Sequence, residues 1–588
     1  MNEHSSLASL PSSTEVPVAG VVPLGRVAAP PEHESTSGMF YFWVDRTQSV
    51  ERTQIVATSS TVGGRTVRFV GIVQEVYRRS RQKDIGEESD RFDGRSGERP
   101  PFDSDGVTYA EVAILRTDPV AHTPPIEESS VYLGGPTDAA KGYGFDKMRD
   151  ENKLAVGRLR NGGTEFAGPA VIDLAYLLGE NGGHLNVNGI AGMGTKSSFL
   201  LHVVMLLMRW AKRTGKPGDT GRTQVVPIIF NVKNFDLFYL DRWSKNWKPE
   251  YADDWKVLGI DRPEPFRDVN FFAPQERKTE NPIRTGRDGV TAYSWGLADV
   301  IEQGLFRFLF ADDDLGSPNF GALVGAIEEQ LTDDTPHGPR LRAGAPQTFD
   351  ALPNWVKDSA NHHELGEPHA GTRGALLRRL RGLLQDSDGV LRRDQGRGKP
   401  LLMPPGEVDG PLVIDLFGVK DAKMKRFVVA AVFHQLVELR SNEPKEGMRY
   451  IIALDELNRF APKGGTDPIT EMIERVAAEM RSQGIILLGA QQEASRVSPR
   501  VIENSAVRAI GRSGTLELSA DVWKSLDRAS KAQASQLLES EKLILQPSFR
   551  APMLAMVPFP PWALRKEESV SPPAPPAARD GRFAADTI

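Results

Sequence analysis

The chain contains no cysteine. Disulfides and thiolate metal sites are therefore excluded, and nothing in the residue usage points to an oxidising compartment. A long apolar run is also missing. The longest, Phe199–Leu207, is interrupted by His202 and is too short to cross a bilayer. The opening residues, MNEHSSLASLPSS, have no basic segment leading into an apolar core, so they do not read as a secretory signal. Together these absences predict a cytoplasmic protein with no membrane partner. Basic charge is not in excess either, the net charge being −6. A chain coated in basic groups is excluded. A local basic surface or pore lining is not, because it can hide in a near-neutral total.

With 588 residues, 39% hydrophobic and 26% charged, the composition is that of a soluble globular chain of two or three domains. Residues 1–38 are rich in Ser, Pro, Ala and Val without any period and read as a disordered arm; residues 568–588 read as a disordered tail. Across 39–135, FYFWV, TQIVAT, TVRFVGIVQEVYRRS, YAEVAIL and SVYLG are β-branched and aromatic runs separated by turn residues. They predict a small antiparallel β-barrel, with polar Arg81–Gly106 as a mobile loop. From Gly168 onward the pattern becomes α/β. HLNVNG, QVVPIIFN, LVIDLFG, RYIIALDE, GIILLGAQ and VRAIG have the length and composition of parallel strands covered on both faces. This core divides into 168–296 and 392–520. Between them, at 297–391, EQGLFRFLF, ALVGAIEEQL and GALLRRLRGLLQ predict a helical insertion.

The stretch GIAGMGTKSS, Gly189–Ser198, is close to the phosphate-loop pattern G-x-x-x-x-G-K-[ST], but Thr195 stands where the lysine belongs. A strand before it and a helix from Ser197 to Arg213 give the setting such a loop needs. Gly189, Gly192 and Gly194 would let backbone N–H groups approach phosphates, together with Thr195 and Ser198 at the helix start. Lys196 would reach the β- and γ-phosphates and Ser197 would ligate Mg²⁺. The alternative is a Gly-rich turn with a surface lysine. Downstream, RYIIALDE ends in Asp455 and Glu456, a pair suited to holding hydrated Mg²⁺ and polarising a water. The alternative, acidic residues at a helix start, does not explain the buried strand before them. GIILLGAQQ ends in Gln491 and Gln492; an amide there, Gln491 first, can sense the γ-phosphate of ATP.

With these residues together, the chain resembles the HerA branch of the FtsK–HerA superfamily of DNA-pumping ATPases. The resemblance runs from about Met39 to Arg565. It is carried by TVRFVGIVQEVYRRS, VVPIIFNVKNFDLFYLD, LDELNRFAP, VAAEMRSQGIILLGAQQ, VIENSAVRAIGRSG and PSFRAPMLAMVPFPPWALRK. It implies a RecA-like ATPase core behind the N-terminal barrel, and a C-terminal brace at 521–567. It also implies a hexameric ring with ATP between subunits, and DNA as partner. Asn458 departs from the D-E-A-H that many relatives carry, and unlike histidine it cannot titrate. Arg481 is the implied arginine finger reaching a neighbour's nucleotide, with Arg475 as competitor. Lys233 and the stretch DRWSKNWK (Arg242, Trp243, Lys245, Trp247, Lys248) are the implied DNA contacts, although packing is the simpler role for the tryptophans. Arg378, Arg379 and Arg381 read as a solvated helix face. The function implied is an ATP-driven translocase or helicase working with a NurA-type nuclease in DNA-end resection. The competing expectation is an ATP-binding scaffold for a partner nuclease, as in phage defence.

Overall fold

The computed structural model describes residues 22–31, 33–80, 85–90, 92–95, 97, 106–190, 195–213, 223–310, 312–336, 338–387, 389–442 and 447–570. Most of the predicted arm, all but three residues of the predicted tail and most of the 81–106 loop lie outside these. The chain forms two compact units.

In the first unit, β1 (Gly25–Val27), β2 (Met39–Val44), β3 (Ile55–Val62), β4 (Arg65–Ser80), β5 (Gly106–Asp118) and β6 (Ser130–Leu133) close into a barrel of order β1-β2-β5-β4-β3-β6. The neighbouring strands pair antiparallel. Alternate residues point inward, so Phe40, Phe42, Phe69, Val112 and Val131 fill the interior. The barrel starts earlier than expected, because β1 falls inside the stretch read as a disordered arm. Three residues are too few to display a two-residue period, and the strand is defined by pairing with β2 and β6 on either side. Gly25 is needed there, since a Cβ would run into the Trp43 carbonyl. Beyond the barrel lie β7 (Lys153–Arg160) and β8 (Phe166–Asp173), to which no element was assigned from sequence. Met553–Met556, within the expected C-terminal brace, pairs antiparallel with β7 and so belongs to this unit.

The second unit is mixed α/β. Its strands are β9 (Gly183–Asn188), β10 (Gln224–Asn231), β11 (Trp243–Ser244), β12 (Asn270–Pro274), β13 (Val290–Tyr293), β14 (Thr332–Thr335), β15 (Gly338–Leu341), β16 (Leu412–Asp415), β17 (Met448–Leu454), β18 (Ile485–Gln491) and β19 (Ser505–Ile510). Eight of them run parallel in the order β13-β12-β16-β10-β17-β18-β9-β19. The six apolar runs found in the sequence are all here. β12 and β13 were missed because they are short and flanked by loops. The Thr195–Arg213 helix packs against β9, β10, β17 and β18, while Pro468–Glu479 packs on β18 and on the Ala422–Asn442 helix. Helical cover on a parallel sheet explains why the strands are continuous Val/Ile/Leu runs.

The 297–391 region holds the helices Leu297–Glu302, Pro318–Leu331 and Ala370–Asp386, but also the β14–β15 hairpin. EQGLFRFLF is not one helix. The helix stops at Glu302, Gly304 turns the chain with φ +62°, and Phe306–Leu309 forms a single 3₁₀ turn. Among the described residues no helix is long and apolar enough to cross a membrane.

Candidate functional site

Parallel strands bring their C-terminal ends to one edge, where open α/β sheets place ligands. In register, Asn188 of β9 lies opposite Gln491 of β18, and Asn231 of β10 opposite Asp415 of β16. Asp455 and Glu456 follow directly from β17, between β10 and β18.

The Thr195–Arg213 helix starts at this edge. It carries Lys212 and Arg213 in its last turn, which suits its dipole. Gly189 donates its N–H to the Gln491 carbonyl (3.3 Å) and Ile190 to that of Arg512 (2.8 Å), which fixes the entry to the loop. Gly192 and Gly194 lie outside the described residues. Ser197 donates to Asp455, Oγ to Oδ2, at 2.6 Å. Lys196 is buried (5% exposed), and its Nζ has no hydrogen-bond partner among the described residues. Burial pushes the Lys196 ammonium below its ordinary pKa; Asp455 pulls it back up, Lys233 pushes it down and Glu456 pulls it up. A buried, unpartnered ammonium beside a hydroxyl–carboxylate pair is a cradle for an anion and a hard cation.

Glu456 is buried (4% exposed) and sits in the left-handed region at φ +57°. That conformation costs a non-glycine residue on the order of 1 kcal/mol or more and is found at functional sites. The turn swings its carboxylate toward β10 and β18. Lys233 Nζ lies 2.5 Å from Oε1, Gln492 donates to the same oxygen at 3.2 Å, and Arg459 Nε is 3.3 Å from Oε2. Burial alone would raise the carboxyl; the Lys233 bond and charge, then Gln492 and Lys196, hold it below its ordinary value. Leu457 packs onto β18 directly over Gly489, where a Cβ would come within 2.5 Å of its side chain.

Two of the predicted site residues have side-chain partners within the chain. Lys233, expected to contact DNA, is tied to Glu456. Its loop turns back toward the site because Asn231 Nδ2 donates both to the Asn234 carbonyl (2.7 Å) and to Asp415 Oδ1 (2.8 Å), with Asn234 at φ +45°. Gln491, expected to face the γ-phosphate, is fully buried. Its amide exchanges two hydrogen bonds with Asn186, at 2.7 and 3.0 Å. Gln492, one residue on, turns to the carboxylate instead.

Arg481 is not at this edge. It lies in the Met480–Gln483 turn before β18, at the opposite end of that strand, with its side chain against Gly183. Arg475 pairs with Glu479 at 3.5 Å along its own helix. Arg242 is 4.0 Å from Asp241, and Lys248 is 3.6 Å from Glu250. The strand between Arg242 and Lys245 pairs with Ser569–Val570, and Lys245 N donates to the Glu568 carbonyl. Trp243 and Trp247 pack on one another with ring centres 5.8 Å apart. Arg379 bonds Asp314 at 2.8 Å.

No protein-family model matches the chain, and no curated protein matches it. Among solved structures it is similar to VirB4 of Thermoanaerobacter pseudethanolicus, at 15% identity and TM-score 0.42, over 70% of this chain and 98% of that one. It is also similar to the bacterial conjugative coupling protein TrwBdeltaN70, at 12% identity and TM-score 0.45, over 75% and 95%. The genome packaging NTPase B204 of Sulfolobus turreted icosahedral virus 2 is similar at 10% identity and TM-score 0.19, over 25% and 67%.

Proposed function

We propose that the chain is a Mg²⁺-dependent ATP hydrolase of the ring-forming, DNA-moving type. One observation carries this reading: Ser197 bonds Asp455 at 2.6 Å beside the unpartnered Lys196, with the ionised Glu456 next in the chain. These residues fit the ligands. A buried ammonium without an acceptor is costly unless a phosphate accepts its hydrogen bonds, and the Ser197–Asp455 pair supplies oxygen ligands of the kind Mg²⁺ takes. When bound, Mg²⁺ neutralises charge on the β- and γ-phosphates. Lys196 grips those phosphates, Ser197 and Asp455 hold the ion, and Glu456 accepts the proton of the attacking water. Gln492, rather than Gln491, helps aim that carboxylate. Arg481, lying away from its own chain's site, serves a neighbouring copy.

The finer part of the proposal rests on the sequence resemblance to HerA. It comprises six subunits, helicase or translocase action in the cytoplasm, a NurA-type nuclease partner and a role in DNA-end resection. The test is ATP turnover by the purified protein with and without Mg²⁺ and duplex DNA, set against Glu456→Gln. Wild-type turnover roughly a hundredfold or more above the variant, and raised by DNA, is expected. Turnover no higher than the variant's removes the hydrolase reading. A solution mass confined to 64.6 kDa species removes the ring.

A further inference from the structure

Glu456 receives cationic or amide groups from two other segments and from its own turn, and Lys233 makes the shortest of those contacts. Lys233 comes from the turn after β10, Gln492 from the end of β18, and Arg459 from the 3₁₀ turn after β17. Lys233 and Gln492 both engage Oε1. Among the described residues Arg459 alone touches Oε2, and its side chain is 60% exposed. The Lys233 turn is itself built rather than loose: Asn231 ties it to Asp415, whose second oxygen accepts the Gly418 N–H at 2.8 Å and whose carbonyl accepts the Tyr293 hydroxyl at 2.5 Å. A lysine held this way fixes one carboxylate oxygen and leaves the other beside the exposed Arg459 guanidinium.

We propose that Lys233 is a positioning residue for hydrolysis: it clamps Glu456 Oε1 so that Oε2 is presented to the attacking water, and it does not grip DNA. The inference rests on the ATP hydrolase reading above. It differs from a direct phosphate contact because the charge of Lys233 is spent on Glu456. A clamp acts on the orientation of the base, so its loss lowers kcat and leaves nucleotide affinity alone.

The test compares Lys233→Met and Lys233→Arg with wild type. ATP turnover is measured alongside calorimetric binding of a non-hydrolysable ATP analogue and of duplex DNA. Expected for Lys233→Met is a fall in kcat of about thirtyfold, with analogue and DNA affinities within about twofold of wild type. Lys233→Arg, which keeps the charge, is expected to recover most of that loss. A kcat at or above wild type in Lys233→Met overturns the proposal. A matching loss of analogue affinity assigns Lys233 to the phosphates instead, and a loss of DNA affinity alone returns it to DNA; either outcome overturns it too. Wild-type turnover equal to that of Glu456→Gln would instead remove the hydrolase reading, and this inference with it, so the two failures are distinguishable.

Discussion

Ser197 Oγ donates to Asp455 Oδ2 across 2.6 Å, although 258 residues separate them in the chain. The contact exists because β9 and β17 end at the same edge of a parallel sheet, and the helix after β9 begins there. If the pair is a Mg²⁺ cradle, its two members act on one ion. Ser197→Ala and Asp455→Asn should each raise the Mg²⁺ needed for half-maximal ATP turnover by about tenfold or more, near 1.4 kcal/mol. The double variant should fall short of additivity, as groups sharing one ligand do. Equal Mg²⁺ titrations for wild type and both single variants would remove the ion from this position.

Lys196 gives an opposite-signed pair of effects. Its Nζ is buried without a hydrogen-bond partner among the described residues, and burial pushes its pKa down. Replacing it by methionine keeps the stem and removes the desolvated charge. Lys196→Met should therefore leave nucleotide-free stability unchanged or raise it by roughly 1 kcal/mol, while abolishing ATP binding. Urea melts and analogue calorimetry on the same preparation check both halves. A clear loss of stability would mean that the ammonium has a partner in the free protein.

The two glutamines separate a structural amide from a site amide. Gln491 and Asn186 satisfy one another inside the sheet. Gln491→Ala strands the Asn186 amide and should cost about 2–4 kcal/mol in a urea melt. Gln492→Ala should cost little stability and lower kcat by about tenfold through Glu456. Interchanged effects would restore Gln491 to the role its sequence position suggested.

That pair also shows how far the sequence could be read. The strands of the second unit were legible because strands covered on both faces are unbroken apolar runs. The same property erases the in–out alternation, so nothing in GIILLGAQQ says which glutamine turns inward. Lys233 reads as a DNA contact, since its partner Glu456 follows another strand and is distant in sequence. Only the strand order β10-β17-β18 brings the two together. The phosphate-loop helix and the carboxylate pair were legible because each motif is local. The strands β1, β7, β8, β12 and β13 were not. β1, β12 and β13 are too short to show a period, and β7 and β8 lie in a stretch without the apolar runs that marked the other strands.

Gly489 tests whether the carboxylate turn needs its close packing. A Cβ there would come within 2.5 Å of Leu457, next to Glu456. Gly489→Ala should destabilise by about 1–3 kcal/mol, as overpacking of a core does. It should also lower turnover at saturating ATP, since Leu457 cannot move without shifting its neighbour. Thermal melts and kcat together check this. A stability loss with wild-type kcat would show that the turn is insulated from the strand below.

His184 predicts a pH dependence of stability whose sign is fixed. Its ring is buried at the start of β9, taking the Leu487 N–H on Nδ1 at 2.9 Å and placing Nε2 3.0 Å from the Ala477 carbonyl. Nδ1 is thus the acceptor and Nε2 the donor, which is the neutral ring. Burial pushes its pKa down to about 4; the Ala477 bond pulls it up, and Arg481 pushes it down. Because the folded pKa is below the unfolded one, the unfolded chain binds the proton first. The His184 contribution is therefore complete above pH 6.5 and is lost as pH falls toward 4, at a cost of about 3 kcal/mol. His184→Gln should be less stable at pH 7.5, having lost the fitted ring. It should lose less further stability than wild type on going to pH 4.5, because one protonation site is gone. Urea midpoints for both proteins at the two pH values give the comparison. Parallel losses would mean that His184 is not the group taking up the proton.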